Sequence, residues 1–260
     1  MEYSTLIVTR VAGYCIVALN RPAEMNALSE AMMDDIVACF ETINRDDSVK
    51  AVVLTGGDQV FCAGMDLKEM SALPEGSVDD YFESITSCLK AVYMCRKPVV
   101  AAVGGIALGG GFNLATMCDI IVASEMAIFG HPELRFGLNP LFDPLRRIVG
   151  TAKAKEITLL GEPIGAMEAL RIGLVNKVHT PQKFMHEACE LAQSLSQRSG
   201  KALEAVKRIS DVSPRLDKAS ALEHEFEVSA LLFSREERKE YMSKFLEELQ
   251  SRKKKKKEKE

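Results

Sequence analysis

The chain has 260 residues, 47% hydrophobic and 27% charged, a balance that suits a folded water-soluble protein and excludes disordered and fibrous classes. Its formal net charge of −4 leaves no electrostatic footprint for nucleic acid, and no apolar run reaches the length of a membrane span. The length fits one large α/β domain, alone or with a helical appendage.

Segments 5–10 (TLIVTR) and 14–19 (YCIVAL) are β-branched and apolar around Ala12-Gly13, which predicts a hairpin ended by Asn20-Arg21-Pro22. Ile36, Phe40 and Ile43 recur at helical spacing and predict a helix over 29–44. A continuously apolar strand follows over 50–56, then a loop over 57–65 and a helix around 77–95. The strand KPVVAAV (97–103), a glycine-rich turn, a helix to about 117 and the strand DIIVAS (119–124) repeat the alternation. Such alternation implies βαβ crossovers, a largely parallel sheet, and ligands gathered where strands hand over to helices, here near 57–66 and 104–113.

Beyond 150 the texture becomes helical: TAKAKEITLLG (151–161), GAMEALRIG (165–173), PQKFMHEACELAQSLSQRS (181–199) and two charged amphipathic segments over about 200–250, interrupted by an apolar strand LVNKV (174–178). Helices collected at the end cap a core or meet neighbouring subunits, because an apolar stripe must be buried. The terminal RKKKKKEKE (252–260) reads as a solvated, disordered tail, with contact to RNA, acidic lipid or another anion as the alternative. The seven cysteines form no CxxC pair and are odd in number, so free thiols in a reducing cytoplasm are expected. The N-terminal residues lack a basic region ahead of a continuous apolar block, so no signal peptide is read. No His/Cys/Asp/Glu spacing suggests a metal site.

Two loops can present unpaired backbone N–H groups. In FCAGMDLKEM (61–70), Gly64 permits an unusual backbone angle, after which the Met65 N–H can turn outward at the start of a short helix. In GGIALGGGFN (104–113), the Gly110 N–H stands at another helix N-terminus, where partial positive charge collects. Two such donors can grip one developing oxyanion, each worth roughly 3 kcal/mol of barrier. Spacing alone fits equally well two tight strand-to-helix turns. Neither a full GxGxxG nor a GxxxxGK[ST] occurs, so dinucleotide and P-loop nucleotide binding lack support.

Taken together, LNRPAEMNALS (19–29), AVVLTG (51–56), FCAGMDLKEM (61–70), KPVVAAVGGIALGGGFNLATMCDIIVAS (97–124), FGHPELRFGL (129–138) and EALRIGLVNKV (168–178) resemble the crotonase, or enoyl-CoA hydratase/isomerase, superfamily. The resemblance implies an α/β spiral of ββα turns over 1–195 carrying an acyl-CoA site, a helical trimerisation region over 196–251, and the tail over 252–260. It further implies a CoA or carrier-protein thioester as substrate with no other cofactor, and self-association as a homotrimer or hexamer. Met65 and Gly110 match the family's two oxyanion-hole donors. Ala23, Glu24, Met25, Ala63 and Asp66 resemble the turns that hold bent CoA, with Lys68 near its phosphates.

Resembling hydratases use two glutamates to hold and split water, at positions matched here by Asn113 and Glu133. An amide exchanges no proton near neutral pH, so Asn113 is expected to position substrate or water while Glu133 transfers protons. One carboxylate suits double-bond isomerisation, since the same group can remove a proton and return it. Hydration by Glu133 alone, decarboxylation of an acyl thioester and non-catalytic acyl-CoA binding are the alternatives. GLNPLFDPLRR (137–147) departs from the family's glycine-rich pattern, so Leu141 and Phe142 are expected to reshape the acyl pocket. Asp143 is a candidate second carboxylate, against a loop or cap role; His131 is read as a satisfied structural histidine, with orienting Glu133 or contacting substrate as the alternative. Arg146 and Arg147 are expected to cover a helix or make subunit pairs, with binding of a carboxylated acyl group as the alternative.

Overall fold

The structure, a computed structural model, describes residues 2–257, excepting the side chains of Glu248 and of residues 252–257. Strands β1 (Leu6–Val11) and β2 (Tyr14–Leu19) pair antiparallel with Val11 opposite Tyr14, so the chain turns at Ala12-Gly13 as predicted. Ser29 caps α1 (Glu30–Arg45) by accepting the Met32 N–H, and Ile36, Phe40 and Ile43 lie on its buried face.

From there the chain repeats one course three times. A strand joins a large sheet, a three-residue strand joins a small sheet, and a helical segment returns. The first course is β3 (Ala51–Thr55), β4 (Val60–Cys62), α2 (Leu67–Ser71) and α3 (Val78–Tyr93). The second is β5 (Val99–Val103), β6 (Ile106–Leu108) and α4 (Gly110–Thr116). The third is β7 (Ile120–Ser124), β8 (Ile128–Gly130), α5 (Phe142–Val149) and α6 (Thr151–Leu160). Then follow β9 (Ile164–Gly165), α7 (Ala166–Arg171), β10 (Lys177–His179) and α8 (Phe184–Ser196).

The large sheet runs β1-β2-β3-β5-β7-β10, parallel after the first pair; the small one runs β4-β6-β8-β9. This is the expected spiral of ββα turns. On one face of the large sheet Ala51, Val53, Val100, Ala102 and Val122 meet Phe184, Ala188 and Ala192 of α8, where alanines on both sides let the helix approach closely. The alternate residues, including Val52, Leu54, Val99, Ala101 and Ile121, face the main core shared with α1 and α3.

Successive courses stack so tightly that side chains are excluded at their contacts. A Cβ on Gly105 would stand 1.8 Å from the Gln59 carbonyl oxygen, and one on Gly111 2.1 Å from that of Cys62. The glycine-rich segment is thus in part a packing requirement.

Three sequence expectations change. The loop read over 57–65 contains β4, because a three-residue strand carries too few residues to show a period. The strand read over 174–178 begins only at Lys177, because the N–H groups of Leu174 and Val175 bond back to the Ala169 carbonyl and close the end of α7. The third concerns the lysine-rich end.

The chain divides into two compact units between Gln197 and Arg198. The second unit holds α9 (Gly200–Val212), α10 (Lys218–Phe233) and α11 (Glu237–Lys257). Helix α11 continues through Lys257, so the expected disordered tail is helical over 252–257, consistent with the high helix propensity of lysine and the preference of cations for a helix C-terminus; residues 258–260 lie outside the described residues. Among the described residues, no helix is long and apolar enough to cross a membrane.

Candidate active site

The site is built where two loops are tied side by side. Arg21 lies two residues beyond β2, and Met25 and Asn26 adopt left-handed backbone angles (φ 51° and 53°). Asn26 is buried: its Oδ1 accepts the Arg21 N–H at 2.9 Å, and its Nδ2 donates to the carbonyls of Gly56 (2.9 Å) and Val60 (3.1 Å). The loop so fixed pairs with residues 63–66: the Ala63 N–H donates to the Met25 carbonyl, Leu28 N–H to Gly64, and Asp66 N–H to Leu28.

Leu28 and Met65 form a parallel bridge, in which Leu28 makes both hydrogen bonds and Met65 directs its own N–H away from the partner loop. Among the described residues, that N–H meets no protein acceptor. Asp66 then caps α2, accepting the Lys68 and Glu69 N–H groups, while Arg21 Nη1 donates to Asp66 Oδ2 at 3.0 Å. Burial pushes the Asp66 carboxyl up, but the Arg21 hydrogen bond and those two N–H groups outweigh it and hold it below its ordinary value.

The second donor comes from the next course. Gly109 has φ 50° and ψ −121°, outside what a side chain tolerates, and its N–H is spent on the Gly130 carbonyl. Gly110 follows as the first residue of α4, where N–H groups have no partner within the helix. The two loops touch: a Cβ on Gly64 would stand 3.5 Å from the Gly110 nitrogen, and one on Gly110 2.9 Å from Met65 Sδ. Glycine at 64 and 110 therefore keeps the space beside both donors open.

Both loops open onto a cavity of about 660 Å³. Glu133 lines it from the first turn of a short 3-10 helix (Glu133–Phe136), its side chain 12% exposed, with Oε1 3.3 Å from where a Gly109 Cβ would stand. Asn113 lines it from α4, all of whose residues are buried. Ala23, Glu24, Met25, Ala63, Asp66 and Lys68 line it as well, as does Leu141. The structure thus brings together both donors, Glu133, Asn113 and every residue expected at CoA.

Three expected residues are not brought to the cavity wall. Phe142 opens α5 and packs against the main core. Asp143 sits on the exposed start of α5, ion-paired with Arg147 and Arg146; their hydrogen bonds hold its carboxyl below the ordinary range. The pairing also occupies the two arginines considered for a carboxylated acyl group. His131 is 1% exposed and lies behind Glu133, with Nδ1 3.2 Å from Oε1 and 3.3 Å from Oε2. Among the described residues, no group of three or more His, Cys, Asp or Glu is arranged to hold a metal ion.

Sequence reading missed the opposite wall, made by Phe82, Ile85, Thr86 and Leu89 of α3 with Phe136 and Leu138. The signal was present: Phe82, Ile85 and Leu89 recur at i, i+3 and i+7, about 100° around the helix from the buried stripe Tyr81, Cys88 and Val92. A helix with two apolar stripes serves a core and a second surface. Here the second surface is the cavity.

A family model described as enoyl-CoA hydratase/isomerase matches residues 9–256. The chain is 39% identical over 249 residues to a probable enoyl-CoA hydratase of Rhizobium meliloti (strain 1021), covering 95% of this chain and 96% of that one. It is 36% identical to the 2,3-dehydroadipyl-CoA hydratase of Escherichia coli (strain K12), over 94% and 96% of the two chains. A crystal structure of enoyl-CoA hydratase from Bacillus anthracis superposes with a TM-score of 0.91 at 30% identity, covering 94% of this chain and 97% of that one.

Proposed function

Since the chain belongs to the enoyl-CoA hydratase/isomerase family, we propose that it moves the double bond of an enoyl thioester, using Glu133 as the single acid and base. The thioester oxygen of a 3-enoyl substrate accepts the N–H groups of Met65 and Gly110. Glu133 removes a proton from C2, the C–H electrons form a dienolate, and the negative charge collects on the oxygen those donors hold. The dienolate electrons then take the same proton at C4, leaving a double bond between C2 and C3. Pre-aligned backbone dipoles stabilise the charge without rearranging during the reaction, an effect of about 3 kcal/mol per donor.

The observation that supports this reading is the pairing inside the cavity: one carboxylate set against the glycine turn, and an amide at Asn113 where a second acid would be needed to split water. Asp66, the buried acid of the neighbouring loop, is committed to Arg21 and to capping α2. Asn113 then holds the acyl group or a water without exchanging protons. Ala23, Glu24, Met25, Ala63, Asp66 and Lys68 take the CoA arm, leaving the wall of Phe82, Ile85, Leu89, Phe136, Leu138 and Leu141 for an uncharged, apolar acyl chain.

A second reading, hydration by Glu133 alone, is favoured by the similarity to proteins named hydratases. Mass-resolved turnover of paired 2-enoyl- and 3-enoyl-CoA substrates in H₂O and D₂O separates the two. Isomerisation leaves the mass unchanged in water; exchange of the carried proton before its return adds deuterium in D₂O. Hydration adds one water. Glu133→Gln abolishes either reaction while leaving CoA affinity nearly intact; unchanged turnover removes Glu133 from its role.

Self-association as a trimer or a hexamer is part of the same proposal. The helical unit leaves Phe226, Leu231, Phe233, Phe245 and Leu246 more than half exposed, an apolar surface that a second copy would cover. Light scattering coupled to size exclusion tests it, and a monomer at micromolar concentration overturns it.

A further inference from the structure

We propose that His131 is the positioning residue of the acid/base: its Nδ1–H grips the Glu133 carboxylate and holds it against the glycine turn. The proposal rests on the reading of Glu133 as the proton-transfer group. Nδ1 stands almost equally far from the two carboxylate oxygens, 3.2 and 3.3 Å, so one N–H is shared between them. An ionised carboxylate only accepts hydrogen bonds, so the nitrogen facing it must carry a proton. A bare Nδ1 lone pair there would repel both oxygens. An N–H on Nδ1 is therefore the arrangement that satisfies a carboxylate at both distances.

One ring contact and the surrounding backbone place the imidazole. The Phe112 ring lies against it, centroids 4.7 Å apart and planes tilted by 36°. Phe112 belongs to α4, the helix that also supplies Gly110 and Asn113. Gly130, directly before His131, ends β8 and accepts the Gly109 N–H, while Pro132 directly after it restricts the backbone. The His131 carbonyl oxygen would stand 3.0 Å from a Cβ at Gly161, so glycine at the end of α6 makes room for this backbone. Phe112 brings no charge to the ring, and among the described residues its ion-pairing partner is Glu133.

This arrangement matters for a base that must reach two carbons in turn. A carboxylate on a flexible stem samples several rotamers, and a misplacement of about 1 Å can cost about 100-fold in rate. A shared hydrogen bond from a ring packed on Phe112 of α4 fixes both oxygens relative to Gly110 at the start of the same helix. Base and oxyanion donors thus share one reference frame.

Three measurements test it. In ¹⁵N spectra of the wild-type protein, the His131 ring should show a protonated Nδ1, changing on Glu133→Gln; a bare Nδ1 overturns the proposal without any need for a variant to fold. His131→Phe keeps the aromatic packing and removes the donor, and should lower kcat by about 10- to 100-fold with KM within about 3-fold. His131→Gln restores an N–H donor and should recover most of that loss, which a purely structural ring would not allow. If Glu133→Gln is inactive while His131→Phe retains full kcat, the positioning role fails alone. If Glu133→Gln is active, the reading beneath it fails.

Discussion

Asn26→Ala is the perturbation that best tests how the site is held. The side chain is 2% exposed and joins three backbone segments: it accepts the Arg21 N–H at 2.9 Å and donates to the Gly56 and Val60 carbonyls at 2.9 and 3.1 Å. Alanine leaves at least two of these part-buried groups without the Asn26 partner, at about 1–3 kcal/mol each. It also places a Cβ with no compensating polar side chain at φ 53°, for about 1 kcal/mol more. The expected loss is about 4 kcal/mol. Asn26→Gly escapes the backbone penalty and should lose about 1 kcal/mol less. The chain has no tryptophan, so urea unfolding is best followed by circular dichroism. With a slope of about 3 kcal/mol per molar, the midpoint should fall by about 1.3 M. A loss below about 1 kcal/mol for alanine, or glycine no better than alanine, would refute the reasoning.

Asn113→Glu should raise hydration of 2-enoyl-CoA at least about 10-fold by supplying the second acid, read as product gaining one water; no gain means that the missing acid does not separate this protein from hydratases. Gly111→Ala sets a Cβ 2.1 Å from a backbone oxygen that cannot rotate away and should abolish soluble expression, whereas Gly165→Ala meets nothing within 4 Å and should be tolerated. The folded Asp66 carboxyl lies below its unfolded value, so its stabilising contribution is present above roughly pH 4 and disappears as pH falls through the folded value. Asp66→Asn should flatten the acid side of the stability–pH curve, and an unchanged curve counts against the Arg21 pairing. Cys62 is fully buried and its thiol is pushed up to about 12 by burial, so it should resist alkylation at pH 8 until urea is added, as read by mass spectrometry.

Much of the large sheet was legible because its strands are buried on both faces and read as unbroken apolar runs: Ala51–Thr55 and Val99–Val103 are each buried throughout. The small sheet was invisible to periodicity, since Val60–Cys62, Ile106–Leu108 and Ile128–Gly130 have three residues each. Its existence came through the family resemblance. That Met65 and Gly110 meet at one cavity was legible from glycine placement, but what leaves the Met65 N–H unbonded is the bridge with Leu28, 37 positions away in sequence, which no local pattern reveals. Asp143 misled for the opposite reason. Its sequence position near the site says nothing of its direction, and two arginines on the same helix capture it at the surface.

The division of labour between backbone and side chains explains why the carbonyl grip can be read from the glycines while the reaction must be argued from two positions. The donors are main-chain N–H groups, and their alignment depends on Gly64, Gly109 and Gly110, where a side chain would collide with the opposite loop, intrude on the acid or demand an inaccessible backbone angle. Glu133 and Asn113 contribute only side chains to the same cavity. Exchanging an acid for an amide at 113 leaves the hydrogen bonds from its N–H to Gly109 and from Met117 N–H to its carbonyl untouched, because both are main-chain bonds. On the proposed reading, the same scaffold keeps enolate stabilisation while the number of proton-exchanging groups changes, and that number separates splitting a water from moving a double bond.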